Sequence, residues 1–245
     1  MNGNKKWITN GTYADYFVTA VVTGKPGQHG ISFLLVDGNI AGLSVRKVAV
    51  RDADVSGTAY LDFDNCLVPA SRLIGLENEG FRLIMHNFNH ERFYLVTACA
   101  RLSRVCLEES IKYALVRETF GRPLAEHQAV RMKLASMMRA VEQLQTWLEF
   151  VVYQMCTMDH EEANLKIGDV MCLLKSQSSK VYEHCARETT QIFGGNALYI
   201  GGKGSKIEGA VMQVKAYQIP GGAEDVMDDY AARAALKMAR RMAKL

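Results

Sequence analysis

NFNHERFYLVTACARLSRVC, residues 87–106, is the stretch whose reading decides the fold. Ile84 just before it, then Phe88, Glu91, Leu95, Cys99, Leu102 and Cys106, recur at steps of three and four, the spacing of one helix face. An acid, Glu91, therefore stands on an otherwise apolar stripe. Val130, Leu134, Met137, Val141, Leu144, Leu148 and Val151 repeat the pattern and predict a second long helix. A third is expected from about Ala163 to Gln191, with Ile167, Met171, Leu174, Val181 and Cys185 inward, stopping at the glycines of IFGGN. A last helix follows YQIPGGAED, residues 217–225, with Glu224 and Asp225 near its N-terminus, where they suit the helix dipole. Mixed steps of three and four fit helices crossing at shallow angles, so an antiparallel four-helix bundle is expected over residues 76–245.

Upstream of that stretch the period is shorter. ISFLLV is a compact apolar run, LDFDN alternates Leu61 and Phe63 with acids, and TGKPGQHG and VDGN carry turn residues. Residues 1–75 thus read as a small β-domain, barrel-like or a sandwich, joined to the helices by VPASRLIGLENEGF with Pro69 and Gly75 as punctuation. The chain starts directly in a strand-like run, MNGNKKWITNG, with no secretory signal, and this reads as a truncation. Neither an internal repeat nor a low-complexity segment is visible.

A net charge of +3, without a basic stripe interleaved with aromatics, argues against a nucleic-acid partner. No apolar run approaches the ~18 residues of a membrane span. The six cysteines form no CxxC pair and fall mostly at apolar helical positions, which reads as buried thiols of a reducing compartment rather than zinc ligands or disulfides. The chain closes on Ala-Lys-Leu, one conservative step from a peroxisomal address, so a peroxisomal location is expected, with mitochondrial or cytoplasmic placement as the alternative.

Four places could carry chemistry. Glu91 needs either a basic partner, Arg92 or another, or a functional purpose, because a carboxylate facing a core is costly. QIFGGNALYIGGKG either caps a helix or lays bare backbone amides against a phosphate, and matches neither a Rossmann fingerprint nor a P-loop. His86 and His90 lie four apart, as metal ligands often do, yet no HExxH accompanies them; surface or structural histidines are the favoured reading and no metal is expected. In RETFGRPLAEHQ, residues 117–128, Arg117 and Arg122 flank Phe120 and Gly121, a pairing able to clamp a phosphate or stack on a ring.

Together with KKWITNG, CLVPASRLIGLENEGF and YQIPGGAEDVM, the segments RETFGRPLAEHQ and QIFGGNAL resemble, in order and spacing, the acyl-CoA dehydrogenase family over essentially the whole chain. That family comprises flavoenzymes that introduce a trans double bond beside an acyl-CoA thioester. The resemblance covers its middle β-domain and C-terminal helical domain, without the N-terminal helical domain. It implies FAD as cofactor. Trp7 would flank the flavin and Thr9 would bond near its reactive edge. Arg117, Thr119, Phe120, His127 and Gln128 would hold the pyrophosphate and adenosine portion. Gln191, Ile192, Phe193, Gly194 and Gly195 would do similar work, some of it on the flavin of a neighbouring subunit of a homodimer or homotetramer. Asn89, Arg92 and Gly222 would approach the acyl-CoA, and Ala223 and Asp225 would border the cofactor.

Many members of that family carry the catalytic glutamate where this chain has Gly221. Isovaleryl- and long-chain-type members carry it on the first long helix, and the matching position here is Glu91. The resemblance thus implies Glu91 as the base, with the Gly221 backbone N–H stabilising the thioester oxygen. Relatives commonly place threonine and serine after the turn's second glycine, whereas this chain has Ala223 and Glu224; an acid there would stand near the flavin phosphates. Electron-transfer flavoprotein or O2 would accept the electrons. The rival readings are an acyl-CoA oxidase, a non-catalytic flavin-binding fragment and, more remotely, a zinc hydrolase using His86 and His90.

Overall fold

A computed structural model of the chain describes residues 1–50, 56–159 and 167–243. Two positions of interest fall outside them: the start expected for the third helix at Ala163, and the last two residues of the Ala-Lys-Leu terminus. Residues 1–87 and 88–245 form two compact units.

The first unit holds β1 (Gly3–Ile8), β2 (Tyr16–Val22), β3 (Ile31–Asp37), β4 (Leu43–Lys47), β5 (Ala59–Phe63) and β6 (Leu73–Ile74). They pair antiparallel in two three-stranded sheets, ordered β1-β5-β4 and β2-β3-β6. In β5 the period of two is plain: Ala59, Leu61 and Phe63 are buried while Asp62 is exposed. They share one core with Phe17 of β2 and Val36 of β3, so the two sheets face each other across it. The segment after Cys66 is more than a connection. Its Leu73 and Ile74 pair with Leu34 and Phe33, so the two apolar residues between Arg72 and Gly75 extend the second sheet.

Five helices follow among the described residues: α1 (Gly80–Val116), which starts within the first unit's residues, α2 (Gln128–Thr157), α3 (Gly168–Phe193), α4 (Ala210–Gln218) and α5 (Glu224–Met242). Side-chain pairs fix their directions in the second unit. Arg104 of α1 meets Glu142 of α2 at 3.1 Å, and Ser136 of α2 bonds His184 of α3 at 3.0 Å, with Lys133 of α2 paired to Glu188 of α3. Ser110 of α1 bonds Thr189 of α3 at 3.0 Å, and Lys180 of α3 bonds Asp228 of α5 at 2.9 Å. Successive long helices therefore run up, down, up and down, the bundle expected from the spacing.

Its core takes the predicted stripes, with Met137, Leu144 and Val151 of α2 and Met171, Leu174 and Cys185 of α3 almost wholly enclosed. Truncating any of the larger ones to alanine would cost about 2–5 kcal/mol. Five of the six cysteines are buried and none is bonded to another. Burial pushes the thiols of Cys99 and Cys106 up to about 11 and Cys185 up to about 12, so they serve as packing groups. No helix among the described residues is long and apolar enough to cross a membrane.

Candidate active site

Glu91 is half-buried on α1, one residue before Arg92 and one helical turn before Leu95. It does not pair with its neighbour. Arg92, only 8% exposed, sends Nε to the carbonyl of Gly221 at 2.9 Å and Nη1 to Oδ1 of Asn89 at 3.2 Å, with its guanidinium 5.7 Å from the Phe88 ring. Among the described residues no hydrogen bond or ion pair occupies the Glu91 carboxylate.

The loop that Arg92 reaches is the Pro-Gly-Gly turn between α4 and α5. Both glycines have backbones that ordinary residues avoid, φ +69° at Gly221 and +116° at Gly222. A Cβ built on Gly221 would lie 2.9 Å from Cδ1 of Leu95 and 3.4 Å from Cγ of Arg92. The turn thus rests on Leu95 and Arg92 of α1, and its positive φ disfavours a side chain at 221. From the other side Lys175 of α3, fully enclosed, donates to the carbonyls of Gln218 at 2.6 Å and Gly222 at 2.7 Å. Glu224, in the first turn of α5, accepts a 2.5 Å bond from the Ser179 hydroxyl and is thereby held against α3. Ala223 is the exposed N-cap of α5 and Asp225 is exposed in its first turn.

A second set of residues converges elsewhere in the same unit. Glu118–Thr119 and Arg122–Pro123 form a two-residue hairpin whose central residues, Phe120 and Gly121, both have positive φ, at +54° and +76°. That turn throws the Phe120 ring outward, 97% exposed, with its edge toward His127 at 6.2 Å between centroids. His127 Nε2 lies 3.2 Å from the Thr119 carbonyl, and Gln128 opens α2, where backbone N–H groups have no partner from the helix itself. The end of α3 lies alongside: a cleft of about 430 Å³ is lined by Arg117 and Thr119 on one side and Ile192 to Gly195 on the other. Ile192 and Phe193 are core residues forming its floor, Phe193 stacked on Tyr113 at 4.2 Å, while Gln191 is exposed. Gly194 and Gly195 face open space, with nothing within 4 Å of an added Cβ.

In the first unit Trp7 is 62% exposed and has φ +65°, in an irregularity of the β1–β5 register between Lys5 and Ile8. A bulky residue at positive φ is a strained arrangement of the kind that functional surfaces hold. Thr9 is exposed just past the strand. No group of three or more potential metal ligands is assembled among the described residues.

Residues 78–236 match the family model described as acyl-CoA dehydrogenase, C-terminal domain, and residues 1–66 match acyl-CoA dehydrogenase, middle domain. The chain belongs to the acyl-CoA dehydrogenase family. FAD is that family's cofactor. An acyl-CoA dehydrogenase of Emericella nidulans is 37% identical over 97% of this chain, which spans 55% of that relative's length. A probable acyl-CoA dehydrogenase from Mycobacterium abscessus superposes with TM-score 0.87 at 33% identity, over 96% of this chain and 60% of that one. The butyryl-CoA dehydrogenase structure from Megasphaera elsdenii gives 0.85 at 26% identity, with the same coverage. The chain thus spans little more than half of the relatives it matches.

Within this acyl-CoA dehydrogenase framework, several residues escaped the sequence reading. Tyr113 lines the cleft and receives a 2.8 Å bond from Asn196, a neighbour the glycine motif contained but did not flag. Lys175 is the larger omission. It lies four residues after Met171, on the inward stripe already identified for α3, and a charge on such a stripe is the same signal that singled out Glu91.

Proposed function

We propose that the whole protein oxidises an acyl-CoA thioester to the trans-2-enoyl-CoA, with Glu91 as the base and the Gly221 N–H as a donor to the thioester oxygen. One observation carries the reading: the glycine turn is seated on Arg92 and Leu95 of α1, one residue and one turn after Glu91, and its glycines can contribute only backbone. A thioester α C–H is feebly acidic, so its removal needs a positioned carboxylate and stabilisation of the charge that gathers on oxygen. Glu91 is suited to the first task because no cation of the described residues competes for its carboxylate. The turn is suited to the second because Arg92 and Lys175 hold the carbonyls of Gly221 and Gly222, fixing the backbone that follows the Gly221 N–H.

The cleft fits a portion of FAD. The Arg117 guanidinium suits a pyrophosphate, Gly194 and Gly195 present bare backbone with open space before it, and Phe120 offers an uncovered ring for stacking. Bound there, FAD supplies the hydride acceptor of the reaction. We assign the electrons onward to an electron-transfer flavoprotein, which makes the protein a dehydrogenase rather than an oxidase, and the assembly to a homodimer or homotetramer on the family likeness. Full-length protein loaded with FAD and mixed anaerobically with acyl-CoAs of graded length should lose its yellow absorbance and yield the trans-2-enoyl thioester. Failure to bleach with every thioester would refute the reading. Rapid recolouring in air without an electron acceptor would instead make it an oxidase.

A further inference from the structure

Lys175 is the most fully enclosed charged side chain among the described residues, and its hold on the turn extends beyond the Gly222 carbonyl. Its two carbonyl partners bracket the Pro-Gly-Gly turn: Gln218 is the last residue of α4, where helix carbonyls lack partners, and Gly222 lies two residues before α5. Arg92 takes the carbonyl between them, that of Gly221, from α1. Every described peptide bond is trans, so each carbonyl fixes the opposite direction for the N–H in its own plane. Two cations on two different helices therefore set how the peptides on either side of Gly222 are turned, while the Pro220–Gly221 peptide, which carries the Gly221 N–H, lies between the two carbonyls that Lys175 alone holds.

A lysine in such a place needs a compensating charge. The titratable groups whose charges act on it are Glu224 from α5, Arg92 and Cys99 from α1, and Cys172 from its own helix. Glu224 is the only carboxylate among them, and Ser179, one turn after Lys175, holds it with a 2.5 Å bond. Desolvation lowers the Lys175 pKa, Arg92 pushes the same way, and Glu224 opposes both. The acid that stands where relatives commonly have serine is thus held against α3 by Ser179, one turn from the lysine.

We propose that Lys175 is a positioning residue of the reaction centre, a buried ammonium that pins both ends of the turn presenting the Gly221 N–H by holding the Gln218 and Gly222 carbonyls, with Glu224 as its counter-ion. The function assigned to that amide rests on the reading of Glu91 and Gly221 given above; the clamp itself does not. Two variants of the full-length protein test it. In Lys175→Met, amide hydrogen exchange over residues 217–223, followed by mass spectrometry without cofactor or substrate, should be at least about tenfold faster than in the parent. Glu224→Gln keeps both lysine hydrogen bonds and removes the countercharge, so the alkaline limb of the pH profile for flavin reduction should move down by at least about one pH unit. A folded Lys175→Met with parental exchange in the turn would overturn the clamp. If Lys175→Met does not fold, an alkaline limb unmoved in Glu224→Gln overturns the proposal. A Glu91→Gln protein that reduces flavin normally would instead remove the assigned chemistry, leaving the exchange result to decide the clamp alone.

Discussion

The Pro-Gly-Gly turn and the cleft at the end of α3 are both built on paired glycines, and they use them in opposite ways. At the turn the glycines have neighbours close by: a Cβ on Gly221 would lie 2.9 Å from Cδ1 of Leu95, and one on Gly222 would come within 2.3 Å of Cε of Met227. At the cleft Gly194 and Gly195 have nothing near them. A glycine that meets protein fixes its own backbone, and buried cations then fix its carbonyls. A glycine that meets open space leaves room for something the chain does not supply. The first arrangement suits a donor that must be aimed at a developing charge, the second a surface that receives a large ligand.

That contrast can be broken by substitution. Gly221→Ala forces a side chain into positive φ and into Leu95, so thermal or urea unfolding should show a loss of about 2–3 kcal/mol. An unchanged midpoint would mean that the turn is not pinned. Arg117→Ala should leave folding intact but weaken FAD retention at least about tenfold in equilibrium dialysis, because an exposed cation with no ion pair among the described residues is released for a phosphate. Phe120→Ser, at a ring with almost no protein around it, should cost less, on the order of 1 kcal/mol of FAD affinity and nothing in stability. The smallest effect belongs to Gly195→Ala, where open space and an unremarkable φ predict a stability change within about 0.5 kcal/mol. A loss as large as that of Gly221→Ala would erase the distinction between the two regions.

How far the sequence led depends on what spacing can encode. The steps of three and four through Phe88, Glu91 and Leu95 gave the helix, because periodicity reports which face a residue occupies, and Glu91 is half-buried on it. The alternation of Leu61 and Phe63 likewise gave a strand with one buried face. Partners across the fold were not legible. The bond from Arg92 to a carbonyl 129 residues away was not foreseen. Nor did Lys175 announce that it would reach Gln218, 43 residues on. Nor did the sequence show that Glu224 would bond Ser179 of α3. Each of these contacts depends on how separate helices dock, which local pattern does not specify.

The central claim is that the proton leaves to a carboxylate on α1 while the turn contributes only its amide. Its most direct test is the rate of anaerobic flavin bleaching when full-length Glu91→Gln protein, loaded with FAD, meets a saturating acyl-CoA. The substitution keeps size and shape and removes only the basic oxygen, so cofactor and thioester should still bind while reduction slows by at least about a hundredfold. Reduction within about twofold of the parent rate would place the base elsewhere and contradict the account.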